Sequence, residues 1–270
     1  MTSTDWERVS RANPCPICNK PDWCLVSKDG STAICPRVES DKRAGDAGWV
    51  HVINPLLQPK PVSAPVAVTE PLDIDWQRGV DQCVAAMEGY MYDHLVLSTG
   101  LRRRGLEDMQ VGWSAKKSAY TFPMRASNGA VIGIRLRTPD GNKFAVKGSR
   151  AGLFYVGKPP SHGSVYVAEG PTDTLALHQI GLPAVGRPSC NGGGILLTKM
   201  LCWKHDVVIV ADNDKPGKQG AKSIASLLKP KVSRVRIMYP SKGSDVKDWV
   251  VGHGASKQVV ELVANQARPL

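Results

Sequence analysis

The stretch VVIVADNDKPGKQGA, residues 207–221, passes from five apolar residues to two acids in three positions, then to a basic, glycine-rich turn. An apolar, β-branched run reads as a buried strand, which puts Asp212 and Asp214 where a core strand meets water. In an open α/β sheet, positions just past the carboxyl ends of the strands line the usual ligand crevice. A second unit of the same texture lies upstream. SVYVAEGPTDTLALHQIG, residues 164–181, ends its apolar strand on Glu169 and sets Asp173 four residues later. Between the two, PAVG leads into the SCNGGG loop and the segment ILLTKML, and SRVRIMYP adds a further strand. Strands alternating with helices predict a parallel sheet over this half of the chain.

If the strands ending at Glu169 and Asp212 are neighbours, Glu169, Asp212 and Asp214 converge. Three carboxylates at one place cannot all stay ionised without a compensating cation, and hard oxygen ligands with room for water suit Mg²⁺. A lone Asp-x-Asp serves a turn and helix cap equally well, with Asp214 ahead of KPGKQGA. The matching acids of the upstream unit, Glu169 and Asp173, move the weight toward metal.

The 270 residues and 42% hydrophobic content suffice for more than one packed unit. No apolar run reaches the roughly 18 residues of a membrane span, and the start MTSTDWERVS lacks a signal-peptide pattern. The expectation is a soluble, cytoplasmic protein with no membrane partner. The formal charge is +11, and from Ser98 to Arg150 eleven Lys/Arg face three Asp/Glu. A local excess of this kind favours a polyanionic partner, mainly nucleic acid.

Four of the seven cysteines fall in the first 35 residues, as Cys15-x2-Cys18-x5-Cys24-x10-Cys35. In a reducing compartment such crowding points to metal before disulfides. A head of about 50 residues has too little core to fold readily without a staple. Four protein ligands leave no open position, so the expected zinc is structural. Trp23, Lys20, Lys28 and Arg37 lie beside these ligands, where they either contact nucleic acid or, for Trp23, shield the metal.

Five prolines between Asn54 and Leu72 read as an extended linker. The expected organisation is a zinc module over 1–53, a linker over 54–72, a basic lobe over 73–160, and a parallel-sheet domain with a C-terminal helix over 161–270. In the lobe a helix is expected around Val80–Tyr92, followed by short strands whose Asn128-Gly129 and Asp140-Gly141 pairs signal hairpins.

VYVAEGPTDTLAL together with VVIVADNDKPGKQGA resembles the TOPRIM domain shared by bacterial-type primases, topoisomerases and some nucleases. LRRRGLEDMQVGW, YTFPMRASNGAVIGIRLRT and GNKFAVKGSRAGLF resemble the basic lobe that precedes it in bacterial and phage primases. The fold this resemblance implies is α/β: a TOPRIM-type parallel sheet flanked by helices, after a basic α+β lobe and a small zinc module. It implies a DNA primase that makes a short RNA primer on single-stranded DNA from ribonucleoside triphosphates, using Mg²⁺ or Mn²⁺. By the same resemblance Glu169, Asp212 and Asp214 are catalytic and metal-binding. Asp173 matches a further acid, and Asp245 and Asp248 resemble later ones without the sequence choosing between them. Arg103, Arg104, Arg135, Arg137, Lys143 and Lys147 are the basic residues expected at template and nucleotide. The sequence departs from the family in lacking a second Cys-x2-Cys and in a short basic lobe. No helicase domain follows, so helicase function is expected from a replicative helicase on a separate chain, from a removed segment, or from nowhere. A TOPRIM nuclease and a non-catalytic DNA-binding module of a replication or recombination complex are the alternatives.

Overall fold

The computed structural model describes residues 6–53, 74–190 and 192–270, so the proline-rich segment expected as a linker lies outside the described residues. The chain divides into two compact units, Met1–Leu72 and Asp73–Leu270.

In the first unit, β1 (Trp6–Arg8), β2 (Leu25–Ser27), β3 (Thr32–Cys35) and β4 (Trp49–Val52) form an antiparallel sheet in chain order. Its buried centre consists of Cys15, Cys24 and Cys35, with Val9, Ile17 and Cys18 packed against them. A core this small, built largely from thiols, agrees with the need for a staple.

The second unit begins with α1 (Trp76–Ala85), α2 (Gly89–Thr99) and α3 (Arg103–Asp108). The helix expected around Val80–Tyr92 is therefore two. The break falls at Ala86–Glu88, where Glu88 is extended and Gly89 follows, the residue that costs most inside a helix after proline. Next comes an antiparallel sheet of β5 (Gly112–Ser114), β6 (Ala119–Arg125), β7 (Val131–Arg137) and β8 (Lys143–Ala145). The two Asx-Gly pairs lie in its hairpin turns, Asn128 accepting from the Ala130 N–H at 3.1 Å. Val80 of α1 packs on Ala119, Ile134 and Leu136 of this sheet.

The second sheet is parallel, in the order β10 (Ala184–Arg187), β9 (Gly163–Glu169), β11 (His205–Val210), β12 (Arg234–Met238). Its two central strands are buried on both faces, as their unbroken Val/Ile character requires. The helices are α4 (Gly170–Gln179), α5 (Gly194–Met200), α6 (Lys215–Leu228) and α7 (Lys257–Gln266). A short strap ties the sheets together. Leu153 exchanges two backbone hydrogen bonds with Arg125, and Phe154 exchanges two with Gly186 at the β10 edge. One core also runs through both, from Tyr92, Phe122 and Met124 to Tyr166, Leu175 and Trp249. The basic lobe and the parallel sheet are thus held as one body, which fixes the lobe's cations against the ends of the parallel strands.

Candidate active site

The strands that end on Glu169 and lead to Asp212 are adjacent and parallel, with Val167 opposite Ile209. Both acids therefore emerge at the same carboxyl edge. Gly170, in the left-handed region at φ 82°, turns the chain from β9 into α4, and Pro171 opens the helix where its missing N–H costs nothing. This turn buries Asp173, which is 8% exposed, and its Oδ1 accepts the Lys247 backbone N–H at 3.0 Å. That bond draws in the loop after β12, bringing Asp245 to the same edge.

Asp214 caps α6, accepting from the Gly217 N–H at 2.7 Å. The capping reading and the acid-cluster reading of Asp-x-Asp thus hold together. The glycines that follow have a packing reason. A Cβ on Gly217 would lie 2.9 Å from the Asp212 Cβ and 2.9 Å from the Asp214 Oδ1. Only glycine lets the helix start this close to both acids.

Glu169, Asp173, Asp212 and Asp245 line a cleft of about 540 Å³. Its other wall is basic: Arg135 and Arg137 from β7 and Lys143 from β8, with Lys247 beside the acids. Arg135 is anchored by donating to the Pro188 carbonyl at 2.5 Å. Asp214 and Asp245 also line a smaller recess that begins at Asp212.

The remaining expected residues are elsewhere. Arg103 and Arg104 sit on α3, paired with Glu107 and Asp108 one helical turn on, and do not line the cleft. Lys147 is exposed and does not line the cleft. Asp248 turns back to accept the Ser244 N–H at 3.1 Å, and Asp245, which accepts the Asp248 N–H at 2.7 Å, is the one of the pair that faces the cleft. One member of the site carries no signal in the sequence. Arg187, at the end of β10 and directly opposite Glu169 in register, is 1% exposed. Its Nη2 stands 4.0 Å from a Glu169 carboxylate oxygen.

Electrostatics mark the cluster as short of positive charge. Burial, then the charges of Glu169, Asp245 and Asp214, push the Asp212 carboxyl up to about 7, against the pull of Arg187. Burial, then Asp245 and Asp212, push Asp173 up to about 8, although the Lys247 N–H and Lys143 favour its ionised form. At the opposite end of the sheet, Asp206 has its protein cations in place. It is bonded to Arg234 at 2.8 Å and Arg236 at 2.6 Å, and its carboxyl is held below the usual range. A set of buried and half-buried carboxylates that raise one another's pKa is the donor chemistry of a hard divalent ion. Among the described residues only the head cysteines bring three or more ligand atoms within 4.8 Å of one another. The acids of the cleft lie further apart than that.

In the head, Cys15, Cys18, Cys24 and Cys35 converge, with Sγ separations of 3.6 Å for Cys18–Cys24 and 3.9 Å for Cys24–Cys35. A tetrahedral zinc with bonds of ~2.3 Å sets its sulfurs ~3.8 Å apart, so the arrangement suits it. Burial and the neighbouring thiols push Cys24 well up, the repulsion that a bound cation relieves. Arg37 reaches from Asp22 toward the Cys18 and Cys24 sulfurs. Trp23 is 72% exposed, so it does not shield the metal site.

Comparison with known proteins agrees with this architecture. Residues 166–250 match the Toprim-like family model. The "Gene 57 protein" of Mycobacterium phage D29 is 28% identical over 131 residues, 47% of this chain and 84% of that protein. The zinc-binding and RNA polymerase domains of the Aquifex aeolicus primase are similar with a TM-score of 0.58 at 17% identity, over 96% of this chain and 79% of that one. A DnaG primase catalytic domain bound to single-stranded DNA gives 0.55 at 16% identity, over 72% and 80%. The body therefore has the fold of a primase catalytic core, with a Toprim-like domain at residues 166–250.

Proposed function

We propose that this chain is a cytoplasmic DNA primase, joining ribonucleotides into a short RNA primer on a single-stranded DNA template. The observation that carries this reading is the cleft in which Arg135, Arg137 and Lys143 face Glu169, Asp212 and Asp245. Cations on one wall and unneutralised carboxylates on the other suit a polyanionic substrate whose phosphates bridge them. The solved primase core bound to single-stranded DNA supports the choice of template.

In this reading Arg135, Arg137 and Lys143 hold triphosphate and template phosphates by charge-assisted hydrogen bonds. Glu169, Asp212, Asp214 and Asp245 would hold magnesium or manganese, with Asp173 buried behind them. When bound, such an ion neutralises the phosphates and lowers the pKa of an attacking 3′-hydroxyl. In this reading Glu169, at a strand end beside the cleft, also accepts that proton. The head holds one structural zinc, and a replicative helicase is the partner expected of this activity. Arg103, Arg104 and Lys147 lie outside the cleft and serve, at most, an outlying stretch of template.

Incubating the full chain with a single-stranded template, ribonucleoside triphosphates and Mg²⁺ tests the proposal. Short RNA products that vanish with chelator support it. Cleavage of the template without synthesis would favour a nuclease, and binding without either would favour a non-catalytic module.

A further inference from the structure

Arg187 is the largest side chain fully buried in the described structure, and the chemistry so far leaves it unused. Its backbone is set by the β10–β9 register, which places it beside Glu169 on the same face of the sheet. Its Nη1 donates to the Cys190 carbonyl at 2.6 Å, which fixes the guanidinium plane. Its Nη2 points to Glu169 at 4.0 Å, too far for a hydrogen bond but close enough for attraction between a buried guanidinium and a carboxylate at the cleft rim. Its Nε is buried without a hydrogen-bond partner among the described residues. The titratable groups that bear on it are Glu169, Cys190 and Asp212.

Burying an arginine with one donor unpaired is costly, so a purely space-filling role is a poor account of it. We infer that Arg187 is a positioning residue: a resident cation that holds the Glu169 carboxylate at the rim and, by competing for it, sets how tightly a divalent ion binds. The inference rests on the reading of Glu169 and Asp212 as metal ligands. With Arg187 present, the acid cluster carries one less net negative charge, and Glu169 is aimed before any metal arrives. Without it, the cluster should attract divalent ions more strongly while presenting Glu169 less well.

The test is Mn²⁺ binding to the full chain, followed by the spectrum of the free ion and by calorimetry, for the parent protein, Arg187→Met and Arg187→Lys. Removing a unit charge this close should tighten Mn²⁺ binding at least about tenfold in Arg187→Met. Arg187→Lys keeps the charge and should bind within about threefold of the parent. Melting temperature gives a second readout. In chelator Arg187→Met should melt below the parent, and Mg²⁺ should raise its melting temperature by more than it raises the parent's. A role confined to packing would lower the melting temperature without changing either metal response. If Arg187→Met does not fold, the Glu169→Gln/Arg187→Met pair decides: regained folding supports charge balance between the two, and continued failure overturns it. Equal Mn²⁺ affinity in parent and folded Arg187→Met would overturn the inference while leaving the metal site intact. Absence of Mn²⁺ binding in the parent would overturn both.

Discussion

The carboxylate of Asp173 and the backbone N–H of Lys247 are joined by a 3.0 Å hydrogen bond across 74 residues of chain. That bond ties the first turn of α4 to the loop after β12, and so delivers Asp245 to the edge where Glu169 and Asp212 already stand. An acid cluster built from three separate strand ends is only as ordered as the links between them. Asp173 acts here as a strut. Asp173→Ala should therefore weaken metal binding and lower the melting temperature together, by loosening the Asp245 loop. Asp173→Asn keeps an acceptor for the N–H and should retain most of the stability. Thermal unfolding of the two variants side by side distinguishes the strut from a plain ligand.

The pH response of the metal-free protein follows from the same cluster. Asp212 and Asp173 have carboxyls raised to about 7 and about 8, against an ordinary value of 3.8. The folded state therefore binds more protons than the unfolded chain across that window, and stability falls as pH rises from about 4 to about 8. Mg²⁺ should flatten this loss, because the ion takes over the role of the protons. Divalent binding should correspondingly tighten as pH rises through 7. Melting curves from pH 5 to 8 with chelator and with Mg²⁺ check both; parallel curves would contradict them.

The cysteine cluster predicts one tightly held zinc per chain. Cys18→Ser should release it and unfold the head, while Asp73–Leu270 keeps its own melting transition, because the two are separate compact units. Elemental analysis with calorimetry reads both quantities, and protein purified without zinc would refute the assignment.

The cleft wall and the outer helix should differ in their contribution to DNA affinity. Replacing Arg135, Arg137 and Lys143 with alanine should weaken single-stranded DNA binding and lower the salt slope by about 2, at ~0.7 per phosphate contact. Arg103→Ala with Arg104→Ala should do less, because those guanidiniums are already paired with Glu107 and Asp108. Binding titrations at several salt concentrations measure the slopes. A larger loss from the α3 pair would move the template path onto that helix.

Much of this site can be read from local pattern. Two apolar strands ending in acids, each leading into a helix, locate Glu169, Asp173, Asp212 and Asp214 from the order of residues alone, although the expected glycine-rich turn after Asp214 is the first turns of α6, with Gly217 and Gly220 inside the helix. Four close cysteines locate the converging thiol cluster of the head in the same way. What the pattern hides is tertiary. Arg187 looks like a polar residue closing the short strand AVGR, and only the register beside Glu169 shows it to be buried against an acid. The choice between Asp245 and Asp248 turns on which one bonds back to its own loop, a distinction that the spacing GSDVKD does not carry. The run of three arginines from Arg102 suggests a template contact by charge alone. The compensating acids four residues on were visible, but their pairing depends on α3 being a helix.

The central claim is that the acids beyond β9 and β11 hold the metal for nucleotide joining, and Asp212→Asn tests it most directly. Asparagine keeps the size and some hydrogen bonding but removes the charge that attracts a hard cation. Primer synthesis on a single-stranded template should fall by at least about 100-fold, the scale on which loss of a transition-state electrostatic group is felt. Affinity for the template should hold or rise, since a negative charge beside a polyanion is gone. Glu169→Gln should behave alike. Asp214→Asn should lose synthesis while α6 stays capped, because asparagine caps as well as aspartate. Undiminished primer synthesis in Asp212→Asn would contradict the account and leave a primase fold without this chemistry.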